Sequence, residues 1–200
     1  MTKKLSQNYS YANNSSGNLI HVTKAERNGN YFCPICGEAM TPHMGKVRRW
    51  HFVHKNIHNC SYESYLHRLA KIKIQKAFLS SNQFLLSYKA KAICSYDCPF
   101  VGSPKCEGEK PVEFDLRRYY DTCEIEATYK QFKADLFLSS SINPNIPPVL
   151  VEIMVTHKCT EEKINDGVRI IEIPIQSEEQ IENIIKACKL SAERDKPLKY

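Results

Sequence analysis

Two hundred residues, of which 42 % are hydrophobic and 10 % aromatic, can bury one core of ordinary size, which excludes wholesale disorder. A formal net charge of +6 leans towards an anionic partner such as nucleic acid, although many solvated surfaces carry as much. No apolar run approaches the roughly 18–20 residues of a membrane span, and the N-terminal lysines precede no apolar segment, so neither a membrane nor a secretory signal is expected. The expected compartment is the cytoplasm, where thiols stay reduced. Nine cysteines then read as metal ligands or buried thiols rather than as a disulfide framework.

Residues 1–18 are polar and rich in Asn and Ser, a flexible lead-in on this reading. A short strand over LIHVT and a turn at Gly29-Asn30 precede YFCPICGEAM. In that stretch Cys33 and Cys36 flank Pro34, and Gly37 follows. The spacing lets the backbone curl so that two thiolates face one ion. The segment WHFVHKNIHNC offers His51, His54, His58 and Cys60 as further ligands. The expected module, residues 19–60, holds a structural zinc ion on Cys33, Cys36 and His54, with His51 or Cys60 in the fourth position. So small a module builds little core, and zinc would supply much of its folding energy. Beside it Lys46, Arg48 and Arg49 with Trp50 form a basic and aromatic group suited to phosphates and a stacked base, or an ordinary surface.

From Ser61 the apolar positions Leu66, Leu69, Ile72 or Ile74 and Phe78 recur near helical spacing, with Ser61 as the cap. Glu63, His67 and Lys71 share one face of that helix, and taken alone they read as a solvated stripe. A strand over residues 84–92 leads into a Cys-rich insertion, 94–123. There Cys94, Cys98, Cys106 and Cys123 are either a second zinc site or separate buried thiols. Cys159 and Cys188 fall on expected helices and read as core residues.

The segment from Phe132 to Ile175 reads as strand, loop, strand, short helix, strand, followed by an amphipathic helix capped by Ser177. VLVEIMV is the continuous apolar run of a central strand. Asp135 and Glu152 each interrupt an apolar run. Two such acids on neighbouring strands either share a cation or are satisfied by Arg, Lys or backbone donors.

The order CPICG…HFVH, then ESYLH on a helix, then ADLFL and VEI resembles the competence protein CoiA family. The resemblance spans about Leu19 to Ile175. It implies an α/β (α+β) chain: a Cys/His module before a restriction-endonuclease-like, PD-(D/E)XK core over residues 61–200, a central mixed sheet flanked by helices. It also implies a metal-dependent nuclease acting on nucleic acid, DNA above all, in which Asp135 and Glu152 hold Mg²⁺ or Mn²⁺ and Glu63 adds an acid from the first helix. The family pattern places a lysine two residues after the second acid, where this chain has Met154. Lys163 is the preferred substitute, ahead of Lys158, and Thr156 and His157 could also line the pocket. Met154 keeps open two other readings, a catalytically inactive nucleic-acid-binding protein on the same fold and a zinc-stabilised protein-interaction module.

Overall fold

A computed structural model describes residues 9–56, 60–91, 109–156 and 167–192. The chain divides into two units, Met1–Leu69 and Ala70–Tyr200. The division falls inside the long helix α1 (Tyr62–Ser80), whose start is capped by Ser61 Oγ accepting the Ser64 N–H at 3.0 Å.

The first unit is built on short strands. They are β1 (Tyr11–Asn14), β2 (Leu19–His21), β3 (Tyr31–Phe32), β4 (Ala39–His43) and β5 (His51–His54), paired antiparallel in the order β2-β1-β3-β4-β5. Tyr11–Asn14 belongs to the polar stretch read as a flexible lead-in, and that expectation is corrected. Asn14 Oδ1 accepts the N–H groups of Ser16 and Asn18, closing a turn around Gly17 that returns the chain as β2. Ala12, Tyr31, Met40 and Phe52 are buried, as are Tyr65, Leu66 and Leu69 on the first turns of α1. Tyr65 Oη accepts the Tyr11 N–H at 3.0 Å. Gly29 is required by packing: a Cβ there would lie 2.3 Å from Tyr31 Oη, which donates to Glu26 O and accepts the Glu26 N–H.

The second unit contains two sheets and a small hairpin. One sheet joins β6 (Leu85–Lys91), antiparallel to β7 (Glu109–Asp115), with a strand described below. The main sheet comprises β8 (Thr122–Ile125), β11 (Leu136–Ser139), β12 (Val149–Met154) and β13 (Arg169–Pro174), in the order β13-β12-β11-β8. Between β8 and β11 lies the hairpin of β9 (Thr128–Tyr129) and β10 (Phe132–Lys133). The strands β8, β11 and β12 run antiparallel in turn, while β13 is parallel to β12. Leu136, Leu138, Val149, Val151, Ile153, Ile171 and Ile173 fill one face, and Leu150 is fully buried on the other. That two-sided burial is why VLVEIM reads as a continuous apolar run rather than an alternating one. The later turns of α1 contribute buried Ala70, Ile74, Ala77 and Phe78, and Gln75 Nε2 donates to Cys123 O at 2.8 Å.

Within the expected Cys-rich insertion over 94–123 the described residues form β7, a 3-10 turn at Leu116–Arg118 capped by Asp115, and the start of β8. One further correction concerns this unit. The final helix, α2 (Glu178–Ala187), is capped by Ser177 as expected, but Cys188 ends it at φ 47 instead of continuing it. The left-handed residue turns the chain into β14 (Lys189–Ser191), which pairs parallel with β6.

Leu138 is buried at the centre of the main sheet. Its replacement by Ala is expected to lower the unfolding free energy by about 2–5 kcal/mol, through lost burial and a residual cavity. A denaturant titration monitored by circular dichroism measures the change.

Candidate functional site

The turn after β3 brings sulfur and backbone together. Cys33 N–H donates to Glu38 O at 2.8 Å, Gly37 N–H to Cys33 O at 3.0 Å, and Ile35 N–H to Cys33 Sγ at 3.5 Å. Gly37 takes φ +72, which a residue with a Cβ adopts only with strain. Cys36 Sγ lies 3.4 Å from His54 Nε2 at the end of β5, and Cys33 Sγ lies 3.7 Å from Cys60 Sγ. The ligand atoms of all four residues are within 4.8 Å of one another. Tetrahedral zinc, with Zn–S of about 2.3 Å and Zn–N of about 2.0–2.1 Å, implies S···S edges near ~3.8 Å and S···N edges near ~3.5 Å. The Cys33, Cys36, His54 and Cys60 set fits zinc on both edges.

The electrostatics agree with a cation site. Burial pushes the Cys60 thiol up to about 12, with the adjacent Cys33 adding to the rise, and burial likewise raises Cys33. Buried thiols of this kind are poor redox nucleophiles. A metal ion that displaces their protons turns crowding of negative charge into ligation. Tyr9 encloses the cluster, its hydroxyl donating to Cys60 O and its ring standing edge-on to His54.

His51 lies outside this set, which corrects its candidacy as the fourth ligand. His51 and His54 are three apart on one strand, and side chains at odd separations point to opposite faces. His51 Nδ1 is instead 2.9 Å from Arg49 O, and its ring packs against His43. Of the second cysteine group, Cys123 is buried on β8 and burial holds its thiol up at about 12. Cys94, Cys98 and Cys106 lie outside the described residues, as do His58, His157, Lys158, Cys159 and Lys163.

The two acids of the main sheet are brought side by side. The pairing of Leu136 with Val151 continues, one step on, to Asp135 and Glu152. Asp135 lies just before β11 rather than within it, and its Oδ2 accepts the Ile153 N–H at 2.9 Å. On the other edge of β11 the register Leu136 to Ile125 continues to Asp135 and Glu126, joined by the Glu126 N–H to Asp135 O bond of 3.1 Å. Glu152 is in register with Glu172 on β13. Glu126, Asp135, Glu152 and Glu172 therefore form one line across the sheet. Among the described residues only the Cys/His group draws three or more ligand atoms together, so these acids are a line and not a closed cage.

Lys71 reaches that line from α1. Its ammonium is 2.7 Å from Glu126 Oε1 and 3.5 Å from Asp135 Oδ1, and the residue is 5 % exposed. The expectation that Lys71 continued a solvated stripe is thereby corrected: the helix turns this position into the second unit's core. Lys133 adds a second cation, 2.9 Å from Glu126 Oε2. Hydrogen bonds from Lys133 and Lys71 hold the Glu126 carboxyl down at about 2. Lys71 is legible in the sequence only as part of a helix stripe, because the packing that joins it to Glu126 and Asp135 is tertiary. Glu63 is exposed on the first turn of α1, in the first unit. Lys46, Arg48, Arg49 and Trp50 are exposed on the connection between β4 and β5, where Trp50 Nε1 donates to Gly45 O at 3.1 Å.

Residues 15–63 match the family model described as Competence protein CoiA, N-terminal domain. The matched segment contains Cys33, Cys36, His54 and Cys60. No curated protein and no solved structure matches the chain. Among the described residues no helix is long and apolar enough to cross a membrane.

Metal analysis of purified protein is expected to find zinc on the Cys/His cluster. Cys60→Ala should lose that zinc and His51→Ala should retain it; the reverse pattern would overturn the ligand assignment. A second expectation concerns acid stability. Glu126 has its carboxyl lowered from 4.5 to about 2 in the folded chain. Its ion pairs therefore contribute fully above about pH 4.5 and fade as pH falls towards 2. Thermal melts of Glu126→Gln should show a shallower loss of stability than the parent across that window.

Proposed function

We propose that the second unit is a metal-dependent nuclease core acting on DNA, and that the zinc-held first unit contributes nucleic-acid binding. The observation that carries the reading is the placement of Asp135 beside Glu152, with the Ile153 N–H fixing the Asp135 carboxylate. The main sheet supports it: after α1 and the β6–β7 pair come three strands antiparallel in turn and a fourth parallel to the third. That is the order a restriction-endonuclease-like core is expected to have, with an acid at the start of the hairpin's second strand and another on the next.

The donor set suits a hard cation. Asp135 accepts from Lys71 and from the Ile153 N–H on different oxygens, and Mg²⁺ takes one or two carboxylates plus water and substrate phosphate rather than a closed protein cage. When bound by Asp135 and Glu152, Mg²⁺ or Mn²⁺ would supply Lewis-acid charge to a scissile phosphate. The protein's part is positional. Asp135 is held on two sides, and Glu152 is fixed by its register with Glu172 on β13. The Met154 thioether neither orients water nor carries charge, so positive charge at the site comes from another element. Exposed Lys46, Arg48 and Arg49 suit phosphate contacts, and Trp50, 39 % exposed, offers a stacking face.

A second reading has its own observation. Met154, together with an ammonium already seated on Asp135, favours a nuclease fold that binds nucleic acid without cutting it. One experiment separates the two. Plasmid incubated with the protein and Mg²⁺ or Mn²⁺ should be cut, and Asp135→Asn or Glu152→Gln should abolish the cutting. Intact plasmid with tight, salt-sensitive binding selects the second reading. No binding even at low salt removes both and leaves a zinc-stabilised protein-interaction module.

A further inference from the structure

The line of four acids concentrates negative charge, and one buried side chain, Lys71, meets two of them. Glu152 and Glu172 are register neighbours on adjacent parallel strands, and Asp135 and Glu126 continue the line. Like charges at that separation repel, and their removal from water makes the repulsion stronger. Lys71 is 5 % exposed and meets Glu126 and Asp135 together. A buried ammonium is retained only where acids hold it, so the contact fixes both sides. Lys133 also serves Glu126, but from a side chain that is 63 % exposed, and the described contacts take it no further along the line.

We infer that Lys71 is the lysine of this site: a positioning residue on α1 that holds Asp135 and supplies the positive charge that Met154 cannot. The inference rests on the nuclease reading and names the residue that makes it workable. Lys71 grips Asp135 Oδ1 while the Ile153 N–H grips Oδ2. Contacts on both oxygens restrict the orientation of the carboxylate beside Glu152. Through its charge Lys71 also offsets the acid line before any divalent cation arrives, so it competes with that cation for Asp135. Two opposite consequences follow for a variant without the ammonium. The cation binds more tightly because a like charge has gone, and cutting slows because Asp135 is no longer held.

The test uses the full chain, with Asp135→Asn as the control for loss of the site. Lys71→Met is expected to lower the turnover of plasmid cutting at least about tenfold with KM for DNA within about twofold. In calorimetric titration with Mn²⁺ alone its Kd should fall about threefold or more. Adding Met154→Lys to Lys71→Met places an ammonium two residues from Glu152 on the same strand face and should restore much of the turnover. A purely structural loss would weaken Mn²⁺ binding and cutting together and would resist that rescue. If Lys71→Met does not fold, Lys71→Arg takes its place: charge retained with altered reach should leave Mn²⁺ affinity near the parent's while turnover falls. Parent protein that cuts, beside an inert Asp135→Asn and a fully active Lys71→Met or Lys71→Arg, overturns this inference and leaves the nuclease reading standing. Parent protein that cuts nothing with either metal overturns both.

Discussion

A single carboxylate, gripped on both oxygens, ties the second unit together. At the start of β11 the backbone ladder to β12 stops, and the Asp135 side chain takes over by accepting the Ile153 N–H. An N–H left unpaired at a buried strand centre is costly, so the side chain acts as an extra rung. The other oxygen meets Lys71, and through Lys71 the helix α1 and Glu126 beyond β8 join the same point. Removing one partner of a buried pair typically costs about 3–5 kcal/mol, because the charge that remains has no solvent. Four elements thus depend on one aspartate, and the position of Glu152 beside it follows from strand register alone.

The first unit solves a different problem. Its strands are two to five residues long, and its large fully buried side chains are Met40, Phe52, Tyr65, Leu66 and Leu69. A structural zinc ion contributes about 10–16 kcal/mol in zinc-finger peptides, which is on the scale of a whole domain's stability. The ligands are distributed to use it well. Cys33 and Cys36 belong to the turn after β3, His54 ends β5, and Cys60 immediately precedes the cap of α1. One ion on these four would fix a turn, a strand end and the entry to the helix at once. A zinc ion held there would add to the stability that this apolar core supplies.

What the sequence makes legible follows the range of the interaction. CPxCG with a downstream His is a local pattern, and Cys33, Cys36 and His54 meet. The choice between His51 and Cys60 depends on which face of β5 each histidine occupies, which requires the register of β4 and β5. The caps at Ser61 and Ser177 are local and readable. The strand β14 is not, because Cys188 in a left-handed conformation has no glycine to announce it, and an amphipathic helix reads as continuing. Asp135 and Glu152 stand out as acids in apolar runs. Their neighbours Glu126 and Glu172 look like ordinary alternating surface residues until pairing sets all four in line. Lys71 is the clearest case: on a helical wheel it shares a stripe with exposed Glu63, and only packing divides that stripe between solvent and core.

The charge pattern also constrains how nucleic acid could meet the two units in the proposed reading. A phosphate backbone is repelled by a line of four carboxylates unless positive charge stands between them. Lys71 is enclosed among the acids rather than offered outward, being 5 % exposed. The acid line therefore cannot serve as the initial phosphate contact. The exposed Lys46, Arg48 and Arg49 can, since surface cations gain affinity by releasing the counterions that surround nucleic acid. Capture and chemistry then have opposite electrostatic requirements, which separate units of one chain can meet independently. A salt increase should weaken capture steeply while acting much less on a buried Lys71–Asp135 contact, because screening is strong for exposed charges and weak for enclosed ones.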